Sequence, residues 1–343
     1  MKLFVNKKDC YGCGACEQIC PKGCIEMHSD HEGFKYPVID ETKCIGCNAC
    51  MSVCQIHTEG NRPQEPLQIF AIKNRNRRLQ RNSSSGGFIY NVAEYIIKLG
   101  GVVVEARFDK DQQIVSHTII NSLDPNYKYR GSKYCQSELG EIYKSVLVRL
   151  KQGQKVLFIG TPCQVSGLKL FIRKDFDNLY TIDLICHGVG SPLIFRDYIS
   201  LIENRYRSRI NDVNMRYKLD GWMNSKTILS LDNGKEICNT LESELYIRLY
   251  FSNYINRPSC YYCKYASFSR CGDLTAGDYW GIKKYNLSFY DDNGCSLVMA
   301  NTPKGQLLYD QLKESFIAEE TDMASCVQPQ LLAPQCAPND RTD

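Results

Sequence analysis

Between residues 83 and 99 the apolar positions Phe88, Val92, Tyr95, Ile96 and Leu99 recur at helical spacing, and Gly100 and Gly101 close the pattern. This predicts an amphipathic helix opened by Ser83, Ser84, Ser85, Gly86 and Gly87. Residues 102–108 and 114–120 read as strands. Leu139, Ile142, Tyr143, Val146, Leu147 and Leu150 mark a second amphipathic helix, with Ser137 as its cap. A short apolar strand at 155–159 runs into Gly160, Thr161, Pro162, Cys163 and Gln164, and a helix follows through Leu168, Phe171 and Ile172. Another apolar strand, 179–185, ends in Cys186, His187 and Gly188. Strands alternating with helices imply a mixed α/β body with at least a partly parallel sheet. Ligands of such sheets bind at the carboxyl ends of strands, where both cysteine-bearing turns fall. Farther on, runs at 226–231 and 235–238 flank Asp232, Asn233 and Gly234, a hairpin pattern. A helix is expected over 241–254, a linker over 60–66, and a loosely held tail over the last twenty residues.

Length and composition narrow the classes. At 343 residues the chain suggests two or three domains. With 43% hydrophobic and 23% charged residues it is neither disordered nor fibrous. A net charge of +4 does not call for a nucleic-acid partner. No run of eighteen apolar residues exists, so no membrane span is expected, and the first ten residues carry no secretory stretch. The anomaly is 19 cysteines, an odd total concentrated near the start. A cytoplasmic, thiol-keeping compartment is expected, where cysteines more often bind metal than pair.

Cys10, Cys13, Cys16 and Cys20 follow the spacing C-x2-C-x2-C-x3-C-P, with Pro21 in place. Cys44, Cys47, Cys50 and Cys54 repeat it, except that Gln55 stands where the proline would be. This is the bacterial two-cluster ferredoxin pattern, in which the fourth cysteine of each run ligates the other cluster. One 4Fe-4S cluster is therefore expected on Cys10, Cys13, Cys16 and Cys54, and a second on Cys44, Cys47, Cys50 and Cys20. Gly12, Gly14 and Gly46 would let the backbone pass close to the inorganic core. A zinc site needs only four ligands, fewer than these duplicated runs offer. Cys24 fits neither run and reads as a small buried hydrophobe.

Cys260-x2-Cys263, followed by Cys271, suggests a third iron–sulfur cluster short of one ligand, with Cys186 or Cys163 as donors. The alternatives are a zinc half-site or buried free thiols, because C-x2-C does not select the metal. Cys163, at a helix start, is expected to have a depressed pKa and to serve as nucleophile, ligand or redox thiol. His187 is a candidate proton donor. Either residue could instead be only packed or hydrogen-bonded. The basic residues Lys73, Arg75, Arg77, Arg78 and Arg81 form either a solvated face or contacts to cofactor phosphates. The Ser-Gly-Gly turn is an anion site or simply a helix cap.

Taken together, Ser83–Gly87, Gly131-Ser132-Lys133-Tyr134, Gly160–Gln164, Cys186-His187-Gly188, Cys260-x2-Cys263 and the string 272–281 resemble the beta subunits of coenzyme F420 hydrogenases and dehydrogenases. That family also includes a chlorophyll-cycle reductase. The resemblance spans about residues 5 to 335. It implies a flavoprotein with FAD beside iron–sulfur clusters, the pyrophosphate on Ser85, Gly86 and Gly87, and the flavin lined by Ser132, Lys133, Gln136, Ser137, Thr161, Pro162, Cys163 and Gln164. Lys133, Cys163 and His187 are then the candidate catalytic groups. The form of the 186–192 segment, with Trp280 after Asp278, resembles a bacterial branch linked to surface-polysaccharide biosynthesis, which need not use the deazaflavin.

The expected organisation is a two-cluster ferredoxin domain at 1–60, a basic linker or strand at 61–82, a flavin-binding body at 83–335 (83–200, then 201–335 with the third cysteine cluster) and a tail at 336–343. The expected function relays electrons between a one-electron donor, ferredoxin or a partner subunit, and FAD, for hydride transfer to a small-molecule or glycan acceptor. The rivals are a non-enzymatic electron-transfer adaptor and a glycan-modifying transferase with structural clusters.

Overall fold

The computed structural model describes residues 3–58, 65–123 and 131–341; of the expected linker, only Glu65 and Pro66 lie within them. In the amino-terminal module a cysteine-rich loop leads into α1 (Ala15–Ile19). An antiparallel hairpin follows, β1 (Ile25–Ser29) with β2 (Lys35–Ile39), Ile25 facing Ile39. A second loop then enters α2 (Ala49–Ser52). The two helices start from left-handed residues, Gly14 (φ 67°) and Asn48 (φ 57°), which turn the chain sharply at the end of each loop. The module's own buried apolar cluster is small, Leu3, Cys24, Ile25 and Cys50 with Phe4, Ile39 and Met51 against it, little with which to stabilise the module alone.

The body begins with β3 (Gln68–Asn74), α3 (Arg77–Asn82) and α4 (Phe88–Lys98). Next come β4 (Val102–Asp109), β5 (Ile114–Ile120), α5 (Ile142–Lys151), β6 (Val156–Gly160), α6 (Pro162–Ile172) and β7 (Leu179–Leu184). The chain continues through α7 (Pro192–Tyr206), β8 (Ile210–Tyr217), β9 (Lys226–Leu231), β10 (Glu236–Cys238) and α8 (Leu241–Phe251). It closes with β11 (Leu274–Asp278), α9 (Ile282–Tyr285), β12 (Ser296–Ala300), α10 (Pro303–Asp310) and β13 (Phe316–Thr321).

Eight strands form one mixed sheet in the order β13-β3-β12-β11-β7-β6-β4-β5. Its centre, β11-β7-β6-β4, is parallel, as expected from alternating strands and helices. β6 is apolar on both faces because both are covered. One face packs Val103, Leu157 and Ile182 against Phe88, Val92 and Ile96 of α4 and Leu308 of α10. The other packs Val104, Val156 and Phe158 against Tyr143 and Val146 of α5 and Leu168 of α6, and takes in Ala15 and Val53 of the module. The module thus completes the body's core. A smaller antiparallel sheet, β10-β9-β8, packs on α7 and α8.

Two local expectations change. Ser137 does not cap α5, whose N-cap is Glu141; its hydroxyl instead accepts from Gln164 Nε2 at 2.9 Å. The tail is tied down rather than loose: Arg341 forks onto Glu32 of the module (2.8 and 2.9 Å), and Asp340 accepts from the Tyr254 hydroxyl.

Candidate metal centres

The amino-terminal cysteines divide between two cavities. Cys10, Cys13, Cys16 and Cys54 line the first. Cys20, Cys44, Cys47 and Cys50 line the second, with Cys24 as a fifth thiol in its wall. The crossing has a local cause: α1 begins just before Cys16 and ends just before Cys20, so one helical turn carries the fourth cysteine away from the other three. The thiols crowd one another. Burial pushes Cys13 up to about 11, with Cys10 and Cys54 adding to the rise. Cys16 is raised well above its usual range by burial and by Cys13, Cys10 and Cys54. Thiols so packed cannot ionise together unless a cation takes up the charge, which is what cluster iron does. Among the described residues no three Cys, His, Asp or Glu converge on a point suited to a single metal ion. Ligands spread around a cavity suit a cubane, whose four cysteines bind four separate irons. Cys24 is buried, as a small hydrophobe would be, yet its sulfur lies 3.3 Å from that of Cys20.

A third group forms from parts of the chain far apart in sequence. Cys163 stands on the first turn of α6 behind the N-cap Thr161 and Pro162. Cys186 follows the carboxyl end of β7, and Cys260 and Cys263 come from the turn Pro258–Tyr262 and the residue after it. Burial raises Cys163 well above its usual value, and Cys263, Cys186 and Cys260 raise it further. Burial likewise raises Cys186, and Cys260 and Cys263 raise it further. Burial therefore opposes the depression expected at a helix N-terminus.

Cys271 faces another way. Its thiol donates to Pro162 O (3.1 Å), and its amide donates to Asp183 Oδ2 (3.0 Å). Asp183 pairs there with Arg270 at 2.8 Å, both fully buried. His187 lies between Tyr250 and Phe251 with Nε2 2.9 Å from Asn253 Oδ1, and burial lowers its pKa.

The residues expected around a flavin fall into two sets. Gly86 is wedged into the sheet: a Cβ there would stand 2.2 Å from Ile72 O. Its N–H donates to Ser296 Oγ, its carbonyl accepts from Asn74 N, and Ser85 Oγ donates to Cys295 O. These groups anchor the turn and are already engaged. Gly87 (φ 89°) then starts α4, whose first turn has no side-chain cap. Ser84 Oγ accepts from Ser132 N at 2.9 Å. Lys133 donates to Gly131 O, and burial lowers its pKa against the pull of Asp212 and Glu105.

Arg216, which no sequence motif marks, reaches over this turn. It bonds Asp278 (3.2 Å) and lies over the Trp280 ring, which stacks on Trp222 at 5.2 Å. Its Nε is buried without a partner. An uncapped helix start beside a buried guanidinium with an N–H to spare fits an anionic group such as a pyrophosphate. The second set, Gln136, Ser137, Thr161, Pro162, Cys163 and Gln164, bonds mainly within itself and to the module. Gln164 answers Thr161 N (3.0 Å), and Gln136 donates to Tyr11 O.

The family described as the C terminus of the coenzyme F420 hydrogenase/dehydrogenase beta subunit matches residues 153–325, just over half of the chain. The chain belongs to the coenzyme F420 hydrogenase/dehydrogenase beta-subunit family. A 4Fe-4S dicluster domain matches residues 9–57. This family member is thus built for iron–sulfur redox chemistry. A solved chain from the F420-reducing [NiFe] hydrogenase complex of Methanosarcina barkeri, derivatized with xenon, is similar at 14% identity over 76% of this chain and 84% of that one, with a TM-score of 0.49. No curated protein matches. No helix among the described residues is long and apolar enough to cross a membrane.

The seam between the dicluster domain and the beta-subunit body carries residues that motif reading passed over. Arg257, three positions before Cys260, is almost wholly buried. It donates to Cys10 O (2.9 Å), Gln136 Oε1 (2.8 Å) and Lys35 O (3.0 Å), and lies over the Tyr36 ring. A Cβ on Gly12 would meet it at 2.7 Å, so that glycine serves the seam as much as the cavity. Gln55 is buried too: its Nε2 donates to Cys163 O (2.8 Å), while the Tyr265 hydroxyl donates to its Oε1 (2.6 Å). Neither residue belongs to a spacing motif; the departure from proline at 55 was the sole clue.

Proposed function

We propose that this family member relays electrons between a one-electron donor, ferredoxin or a partner subunit, and FAD, for hydride transfer to a small-molecule acceptor of the deazaflavin or glycan-pathway kind. The observation that carries the reading is the closeness of the first cavity to the third cysteine group. A Cβ on Gly167 of α6 would lie 3.0 Å from Cys13 Cβ, and α6 opens at Cys163. Tyr11, next to Cys10, feels Cys263, Cys163 and Cys260 as neighbours. Cys163, Cys186, Cys260 and Cys263 are the four thiols that would hold a third cluster; Cys271 holds the turn instead.

Clusters supply one-electron transfer, and flavin couples single electrons to two-electron hydride chemistry. The chain's own residues do the rest. Ala15, Val53 and Tyr265 pack the seam and exclude water from it. Cys47 and Ile45 are exposed beside the second cavity, the face open to a donor. On the flavin side, the amides opening α4, Ser132 and Arg216 would hold the pyrophosphate, with Lys133 toward the ring. A soluble, cytoplasmic setting suits such a relay.

The test is absorbance of anoxically purified protein with analysis of released cofactor. FAD alongside cluster absorption is expected. Clusters with no releasable flavin would make the chain an electron-transfer adaptor.

A further inference from the structure

Gln55 is the one position where the second cysteine run departs from the pattern of the first, which has Pro21. Its side chain is 4% exposed, and each of its polar atoms is engaged across the seam. Nε2 donates to Cys163 O at 2.8 Å, and the residue lines the first cavity together with Cys13. Oε1 accepts from the Tyr265 hydroxyl at 2.6 Å, and that hydroxyl lies 2.8 Å from Ser166 Oγ on α6. The backbone carbonyl accepts from Lys264 Nζ at 2.7 Å. Lys264 follows Cys263, and Cys54 precedes Gln55. One residue therefore joins the first cavity, whose Cys54 precedes it in the chain, to two chain segments of the third group. A proline there would lack the side-chain amide that makes the bridge.

We propose that Gln55 is the positioning residue that couples the Cys10–Cys13–Cys16–Cys54 centre to the Cys163–Cys186–Cys260–Cys263 centre. The inference rests on the reading of the latter four as a cluster site. The transfer it serves moves one electron, oxidising one centre and reducing the other, with no bond or proton changed. Two consequences follow from the chemistry. An amide in the wall of the first cavity stabilises the more negative, reduced state of a centre there, so that centre's potential is raised. The bond from Gln55 to Cys163 O also supplies a continuous path across the seam for the transferred electron.

The test uses the full-length protein purified anoxically, as wild type, Gln55→Met and Gln55→Glu. Both variants keep the length of the side chain and remove the amide N–H; Glu also keeps an oxygen for Tyr265. Iron content, thermal melting, the potentials of the individual centres by redox titration with EPR, and the rate at which electrons fed by reduced ferredoxin reach the third centre are measured together. The expected result is unchanged iron and melting, a lower potential at the first centre with the Cys20–Cys44–Cys47–Cys50 centre unmoved, and transfer slowed at least tenfold. Selective loss of the first centre's signal, with the body's melting intact, supports the same role. Unchanged potentials and rate at full iron content would overturn it, as would clusters and body melting collapsing together, the mark of a merely structural residue. If the wild type holds only about eight irons, two cubanes rather than three, the three-centre reading fails on its own. The potential of the first centre then still reports on the Gln55 amide in the wall of the first cavity.

Discussion

The two amino-terminal cysteine quartets and the third quartet solve one problem in opposite ways. The first eight ligands lie between Cys10 and Cys54, and two loops with left-handed glycines and two one-turn helices bring them together. The surrounding module has almost no apolar core of its own. The third quartet draws on residues 163, 186, 260 and 263, and a packed eight-stranded sheet brings them to one place. In the first case ligation would add to a seam that alone carries little of the module's fold; in the second the fold would hold the ligands of the proposed third centre. Spacing records the former and is silent about the latter.

Removing metal breaks the comparison most forcefully. Anaerobic chelation is expected to unfold residues 3–58 while leaving the body's sheet folded, because the module's stability is tied to its metal. Hydrogen exchange mapped along the chain reads this; equal protection of the module with and without iron would refute it.

The scaffold of the third quartet is tested at Asp183. Its carboxylate accepts from Arg270, Thr275 Oγ1 and the amides of Cys271 and Gly272. Asp183→Asn leaves Arg270 buried without its counter-charge, which costs about 3–5 kcal/mol. Denaturant unfolding should show that loss for the body, with the spectroscopic signature of the two amino-terminal centres retained. A loss below about 1 kcal/mol would show that the pair does not hold this region.

A smaller effect separates the flavin side from both cysteine regions. Burial lowers Lys218 to about 7, although Ser85 O and Gln80 O accept from its ammonium at 2.6 and 2.9 Å. Between about pH 7 and 10 the unfolded chain binds a proton that the folded chain does not, so stability rises with pH across that window, by up to about 1.4 kcal/mol per pH unit. Below pH 7 both states are protonated and the dependence vanishes. Lys218→Met should flatten that slope in denaturant titrations, and an identical slope in both proteins would remove the assignment.

Much of the fold was legible because its signals are local. The apolar period over 88–99, the strands ending at Gly160 and Leu184, and the hairpin at Asp232–Gly234 all follow from the residues themselves. The first eight ligands were legible for the same reason. The surroundings of Cys163 and Cys271 were not, since Cys163 has Cys186 and Cys260 as neighbours while the Cys271 thiol donates to Pro162 O, all contacts between segments remote in sequence. Arg216, Arg257 and Gln55 were equally hidden: each acts through contacts to segments more than sixty residues away. The tail looked loose because its composition is polar; Arg341 is held by one carboxylate that only the folded module presents.

The most direct measurement is iron and acid-labile sulfide per chain in the anoxically purified wild type, Cys163→Ser and Cys271→Ser. The account predicts about twelve irons, about eight and about twelve, as three four-iron cubanes, one of them lost with Cys163, require. About eight irons in all three proteins would contradict the third centre. About twelve in Cys163→Ser and eight in Cys271→Ser would place it on the wrong thiol.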